Sequence, residues 1–229
     1  MAKADHSKPT LTIASKNYGS WSLRGWLLCK MAGLDFVEQA VGSDDPSTRA
    51  ELLLLSPSFL VPCLTHDGIK IWDTLAIAEY LNEILPEAGL LPKSRADRAH
   101  CRSICGEMHS GFSNMRSALP MNLKAHHPGF KVWAGAQADI DRIVFIWREC
   151  LDNHGGMFLF GNKPCMAGAM YWPAAVIVVC FGADYQLRSA AVERVVVLQR
   201  RAFADWTRHW ANGMKEVVAY FALYSVAIC

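Results

Sequence analysis

Residues Leu11 to Phe36 read "LTIASKNYGSWSLRGWLLCKMAGLDF", and the reading of this stretch decides the fold. Thr10 to Ser15 alternates apolar and polar residues like a short strand, while Leu23 to Ala32 sets Leu23, Trp26, Leu27 and Met31 at helical spacing. Between the two lies "YGSWSLR", which puts Tyr18, Ser20, Ser22 and Arg24 where a plain connector needs none of them. A hydroxyl-rich turn from strand to helix is where the chemistry is expected, because loops held by a rigid scaffold carry function.

Outward from this junction the pattern continues. Phe36 to Val41 alternates again, 46–55 is helix-like, and "VPCLTHDGIKIW" holds two short apolar runs around Asp67-Gly68, a strong hairpin signal. Asp73 then caps "TLAIAEYLNEIL", whose Leu75, Ile77, Ala78, Leu81 and Leu85 form a buried helical face. The order is β-α-β-α-β-β-α over residues 8–86. "PEAGLLPKS" breaks helix with two prolines and a glycine, making 87–94 a linker. Beyond it strand signals almost vanish: 95–119, 135–153, 164–181 and 190–212 read as helices, so 95–229 is an all-α domain.

Composition narrows the function classes. A chain of 229 residues that is 52% hydrophobic buries a real core. Residues 1–92 carry 7 Lys/Arg against 11 Asp/Glu and the remainder 16 against 10, with no basic cluster of the kind that marks a nucleic-acid surface. The opening "MAKADHSKPT" lacks the apolar core of a signal peptide, so a cytoplasmic location is expected. The most apolar run, "AAVIVVCFGA", is about half the length of a membrane span and reads as a buried helix, so no membrane partner is expected. Eight cysteines, mostly inside apolar stretches, read as small hydrophobes of a reducing compartment. Cys101, Cys105 and His109 share one helical stripe, but a structural zinc site needs four ligands, so helical core is the simpler reading and no metal is expected.

The β-α-β-α-β-β-α unit with an X-Pro before its third strand, followed by an all-α domain, resembles the glutathione transferases. The likeness rests on "SWSLR" at the first strand-to-helix turn, "SPSFLVPCL" around a proline that this fold holds cis, "WDTLAIAEYL" at an acidic-Ser-Leu-Ala-Ile type of helix start, and "FLFGNKPCMAGAM" at the sixth-helix start. "NYGSWSLR" together with "EMHSGFSNMRSALPMNL" resembles a bacterial branch of serine-type members. The resemblance implies a thioredoxin-like amino-terminal domain, glutathione as co-substrate, a small hydrophobic electrophile, and a homodimer.

It also implies roles for residues. A free thiol with a pKa near 8.5 is only about 3% thiolate at pH 7, so a glutathione enzyme must stabilise the anion. A hydrogen bond to a charged group contributes roughly 1.5 to 3 kcal/mol and a helix amino terminus about 0.3 to 1, enough to lower the pKa by about one to two units. In serine-type members the activating serine lies four residues before the arginine of the first helix, which from Arg24 points to Ser20. Ser22 is the alternative and otherwise an N-cap, and Tyr18 is the residue a tyrosine-type member would use. Gly19 would let the loop take positive φ near a ligand, or serve as an ordinary turn glycine. Val61 and Pro62 mark the point where the backbone pairs with the cysteinyl part of glutathione. Asp73 and Thr74 open the helix that holds the γ-glutamyl end, Thr74 toward the carboxylate and Asp73 near the ammonium. Met108, His109, Phe112 and Met115 recur at helical spacing where the family binds its electrophile. Cys63, beside Pro62, is placed either for a mixed disulfide with glutathione or for burial in the third strand. One departure stands out: the sixth-helix start has Cys165 and Gly168 in place of a hydroxyl cap and an acidic partner, and neither is expected to fill the role, leaving Asn162 to cap an earlier start with Pro164 in its first turn. Two further readings accompany the transferase: a glutathione-dependent isomerase of maleylacetoacetate type, and a non-catalytic glutathione- or partner-binding module of the same fold. The tail 217–229 is apolar and is expected to pack on the domain or form a partner contact.

Overall fold

The computed structural model describes residues 8–41, 61–124, 127 and 130–180. The chain divides into two compact units, Met1–Leu90 and Leu91–Cys229.

In the first unit, β1 (Thr10–Ile13) leads through a turn into α1 (Ser20–Met31) and then to β2 (Val37–Ala40). After 42–60, which hold the helix expected at 46–55 and lie outside the described residues, come β3 (Cys63–His66), β4 (Ile69–Trp72), α2 (Thr74–Ile84) and a 3-10 turn at Pro86–Ala88. The sheet order is β2-β1-β3-β4, with β1 parallel to β2 and antiparallel to β3, and β3 antiparallel to β4. This is the thioredoxin-like mixed sheet that the family resemblance implies. Asp67 (φ 48°) and Gly68 (φ 75°) close the β3-β4 hairpin in the left-handed pair that a two-residue turn requires.

Leu11 and Ile13 of β1 and Leu64 of β3 are fully buried. α1 covers them with an unbroken buried run from Ser22 to Cys29, and α2 adds Ile77, Ala78 and Leu81 at i, i+1 and i+4. Leu75 and Leu85, expected on the same face, are half-buried instead.

The contact that fixes α1 is at Gly25. A methyl group there would sit 2.6 Å from Cγ and 2.7 Å from Cβ of Pro62, with Ile77 Cδ1 3.8 Å away. Helix, the chain before β3 and α2 therefore meet at one point that admits no side chain.

In the second unit the described residues form α3 (Arg95–Ser110), α4 (Ser113–Ala118), α5 (Ala134–His154) and α6 (Met166–Cys180). Ser94 caps α3, its Oγ accepting from the Asp97 amide at 3.4 Å. The single helix expected over 95–119 is broken, because Phe112 takes φ 62° and ends the ladder after Ser110. Arg116 holds the break, donating from Nε to the Gly111 carbonyl at 3.0 Å and from Nη2 to the Met108 carbonyl. Asp139 of α5 accepts from the Met115 amide at 2.9 Å, and Tyr171 of α6 donates to the Ile104 carbonyl of α3 at 3.0 Å.

The start of α6 departs from expectation. The helix begins at Met166, beyond Pro164, with Cys165 before it; the Gly168 amide donates to the Cys165 carbonyl at 2.9 Å, and the Ala167 and Gly168 amides act to favour the Cys165 thiolate, though the Cys101 thiol and burial outweigh them and push the thiol up. A buried thiol thus stands where the hydroxyl of a capping box would, and Gly168 has no side chain to supply the carboxylate half. Asn162 is exposed and lies outside the helix. The helix expected at 190–212 and the tail 217–229 fall outside the described residues. No helix among the described residues is long and apolar enough to cross a membrane.

Helix propensity alone favours Gly25→Ala by about 1 kcal/mol, yet the Pro62 ring cannot yield as a flexible side chain would. The expected outcome is a net loss of about 1 to 3 kcal/mol in a denaturant melt; a gain would show that α1 is free to move off Pro62.

Candidate functional site

The site is built at the two helix starts of the first unit. At the first, Gly19 is the N-cap of α1, with φ −80°. The positive φ considered for this glycine is not used. Its lack of a side chain matters instead because a Cβ would lie 2.5 Å from the Ser15 carbonyl, to which the Gly19 amide donates at 2.8 Å. Ser20 is the first helical residue and half-exposed, and Tyr18 is exposed.

Ser22 is a different kind of residue. It is buried, it is not the N-cap, and its Oγ accepts from the Ala14 amide at 2.9 Å, tying the helix to the end of β1. Arg24 is buried with its guanidinium 4.6 Å above the Trp21 ring.

Two residues that give no local sequence signal hold the same loop. Glu38 of β2 receives the Lys16 ammonium on Oε2 at 2.5 Å and the Trp26 indole N–H on Oε1 at 2.6 Å. Burial works to raise the Glu38 carboxyl pKa, but the Lys16 and Trp26 hydrogen bonds and the Lys16 and Lys30 charges outweigh it and hold the pKa below the usual value.

At the second helix start, Asp73 caps α2 with Oδ1 accepting from Leu75 at 2.8 Å and Ala76 at 3.4 Å. It does so from φ 77°, a conformation that costs a non-glycine residue about 1 to 3 kcal/mol and that collects at functional sites. Thr74, the first residue of α2, is buried, and its Oγ1 has no hydrogen-bond partner among the described residues. Because Asp73 satisfies the neighbouring amides, the orphan hydroxyl is left beside a helix amino terminus, where a carboxylate is favoured. The Val61-Pro62 bond just before β3 is cis.

Residues 18–84 match the family described as Glutathione S-transferase, N-terminal domain. The chain is 32% identical to the maleylacetoacetate isomerase of Rattus norvegicus over 77% of its own length and 81% of that protein. The chain belongs to the glutathione S-transferase family. It is also 27% identical to glutathione S-transferase 1 of Dianthus caryophyllus, over 80% of this chain and 84% of that one. A maleylacetoacetate isomerase from Anaeromyxobacter dehalogenans, solved with glutathione bound in its active site, is 25% identical and superposes with a TM-score of 0.59 over 82% of this chain and 89% of that one. These relatives are enzymes of the glutathione S-transferase family.

Of the residues the family likeness singles out, Tyr18, Ser20, Ser22, Val61, Pro62, Asp73 and Thr74 all lie in the first unit, on segments that meet at Gly25. Met108, His109 and Phe112 lie in the second, where Met108 and Phe112 are buried and His109 is half-buried. Cys63 is half-buried in β3, and burial pushes its thiol up despite Lys70. Cys101 and Cys105 are buried core residues of α3; Cys101 hydrogen-bonds both Cys105 and Cys165, and the Cys105 bond together with burial pushes the Cys101 thiol up. Among the described residues, no group of three or more His, Cys, Asp or Glu is arranged to hold a metal ion.

A buried hydroxyl without a partner destabilises the protein that carries it. Thr74→Val, nearly the same shape, is therefore expected to leave thermal stability unchanged or raise it by up to about 1 kcal/mol. A clear loss in a calorimetric melt would mean the hydroxyl is structural.

Proposed function

We propose that the protein is a glutathione transferase in which Ser20 donates to the glutathione sulfur at the start of α1 and lowers its pKa. The observation that carries this reading is the difference in burial between the two serines: Ser22 is buried and accepts from the Ala14 amide, while Ser20 is the half-exposed serine at the amino end of the helix, free to donate its own hydrogen bond to a sulfur. Together with the helix dipole, that hydrogen bond leaves about a quarter to three quarters of the thiol ionised at pH 7. Thr74 Oγ1 would donate to the γ-glutamyl carboxylate and so gain the partner it lacks; Asp73, held by Leu75 and Ala76, stands near the ammonium. The backbone of Val61 would pair with the cysteinyl part as an added strand does. The thiolate then attacks an electrophilic carbon of a small hydrophobic compound, and the C–S bond forms as a leaving group departs with its electron pair. A homodimer and a cytoplasmic location belong to the same proposal, and sedimentation at micromolar concentration tests the first.

A second reading, a glutathione-dependent isomerase, is favoured by the relatives named as maleylacetoacetate isomerases. There the C–S bond forms, the adduct rotates, and the same bond breaks to return the thiolate. Glutathione is consumed in the first case and conserved in the second, so its loss during turnover separates them.

The mechanism is tested by titrating bound glutathione in the ultraviolet. Ser20→Ala is expected to return the thiol pKa toward its free value and to lower kcat/KM at pH 7 about ten- to twentyfold. Ser22→Ala should instead leave the Ala14 amide unpaired and lower stability by about 1 to 3 kcal/mol. A pKa shift lost only in Ser22→Ala would reverse the assignment, and binding with no shift in the native protein would favour a non-catalytic module.

A further inference from the structure

We infer that Glu38 is a positioning residue for the catalytic loop, holding Ser20 in place through Lys16 on one side and Trp26 on the other; this rests on the reading of Ser20 given above. Each oxygen of the Glu38 carboxylate has its own partner. Oε2 takes Lys16, in the middle of the turn between β1 and α1, and Oε1 takes Trp26, six residues into the helix from Ser20. Lys16 is mostly buried, with 13% of its side chain exposed, so its ammonium is not a solvated surface charge. Trp26 is buried outright, and Lys30 lies 5.4 Å above its ring, which fixes the indole in the plane that reaches Glu38.

The route from Glu38 to Ser20 is short. Lys16 follows Ser15, whose carbonyl holds the Gly19 amide at 2.8 Å and whose Oγ accepts from the Asn17 amide at 3.2 Å. Gly19 is the cap that precedes Ser20, and the Ser20 amide donates to the Tyr18 carbonyl at 3.0 Å. Releasing Lys16 therefore loosens the carbonyl on which the cap depends, while Ser22 holds only the other end of the turn at Ala14. Glu38 sits on β2, opposite Leu11 of β1, so the anchor belongs to the sheet and not to the loop it restrains. A rigid second layer of this kind is what keeps a donor within the narrow range where it favours the anion.

Positioning and simple electrostatics give different signs, which makes the idea testable. If the Glu38 charge acted on the thiol directly, Glu38→Gln would lower the thiol pKa and Lys16→Met would raise it. If Glu38 acts by holding the loop, Glu38→Gln, Lys16→Met and the double variant all raise it, by about half a unit or more. The glutathione KM, set by the Thr74 end, moves less than the pKa. Hydrogen exchange supplies a readout independent of catalysis: in Glu38→Gln the Gly19 amide is expected to exchange at least about tenfold faster while the Leu64 amide in β3 is unchanged. A Gly19 amide that exchanges as in the native protein overturns the inference, as does a thiol pKa that falls in Glu38→Gln. If native glutathione shows no shift although Gly19 exchange rises in the variant, it is the Ser20 mechanism that fails and the loop anchor that stands.

Discussion

The absence of a side chain at Gly25 is the constraint on which the site depends. α1 lies against the Pro62 ring so closely that even a methyl group would penetrate it, and Ile77 of α2 closes the third side. Both helix starts and the cis Val61-Pro62 segment are thereby referred to one small volume, so that Ser20, Ser22, the backbone before β3 and Thr74 keep fixed relations. Dispersion and excluded volume do this work better than a hydrogen bond would, because an interior packed at crystal density has no soft direction in which to slide.

The two helix starts divide their labour in the same way. At each, one residue serves the scaffold and a nearby hydroxyl is the one the proposed function uses. Asp73 satisfies the Leu75 and Ala76 amides, and Thr74 beside it keeps an unengaged hydroxyl. Ser22 binds the Ala14 amide, and Ser20 two residues earlier stands at the helix start with partial exposure. Neither hydroxyl is placed well by chance, since helix amino termini favour negative charge within about the first turn. Asp73 makes its cap from φ 77°, whereas Ser94 caps α3 from the ordinary extended region.

Features encoded by neighbouring residues were legible in the sequence. The Asp67-Gly68 turn, the Asp73 cap and the alternation of β1 each follow from residues a few positions apart, and each stands where the pattern puts it. The first turn of α1 was not, because its cap is Gly19, which leaves no side-chain signature, and the helix starts three residues before its apolar period begins. The break at Phe112 was hidden for a related reason: a phenylalanine in the left-handed region is imposed by Arg116 and by the packing of α5, neither of which is adjacent in sequence. The burial of Cys165 at the start of α6 was hidden as well, because its thiol packs with Cys101 of α3, far away in sequence. The link from Lys16 through Glu38 to Trp26 was invisible for want of any spacing rule joining a loop, an edge strand and a helix interior.

The interior thiols carry a consequence of their own. Burial pushes Cys29 and Cys150 up to about 12, and Cys101 and Cys165 are also raised, each bonded to a neighbouring thiol. At pH 7 a thiol with a pKa of 12 is ionised in about one molecule in a hundred thousand. Under the proposed function a nucleophilic sulfur meets reactive carbon, and the core makes these four buried thiols poor competitors for it. On that reading the same apolar packing that holds the helices together would act as chemical selectivity, favouring alkylation of a thiol that is bound and replaced over these buried thiols of the chain.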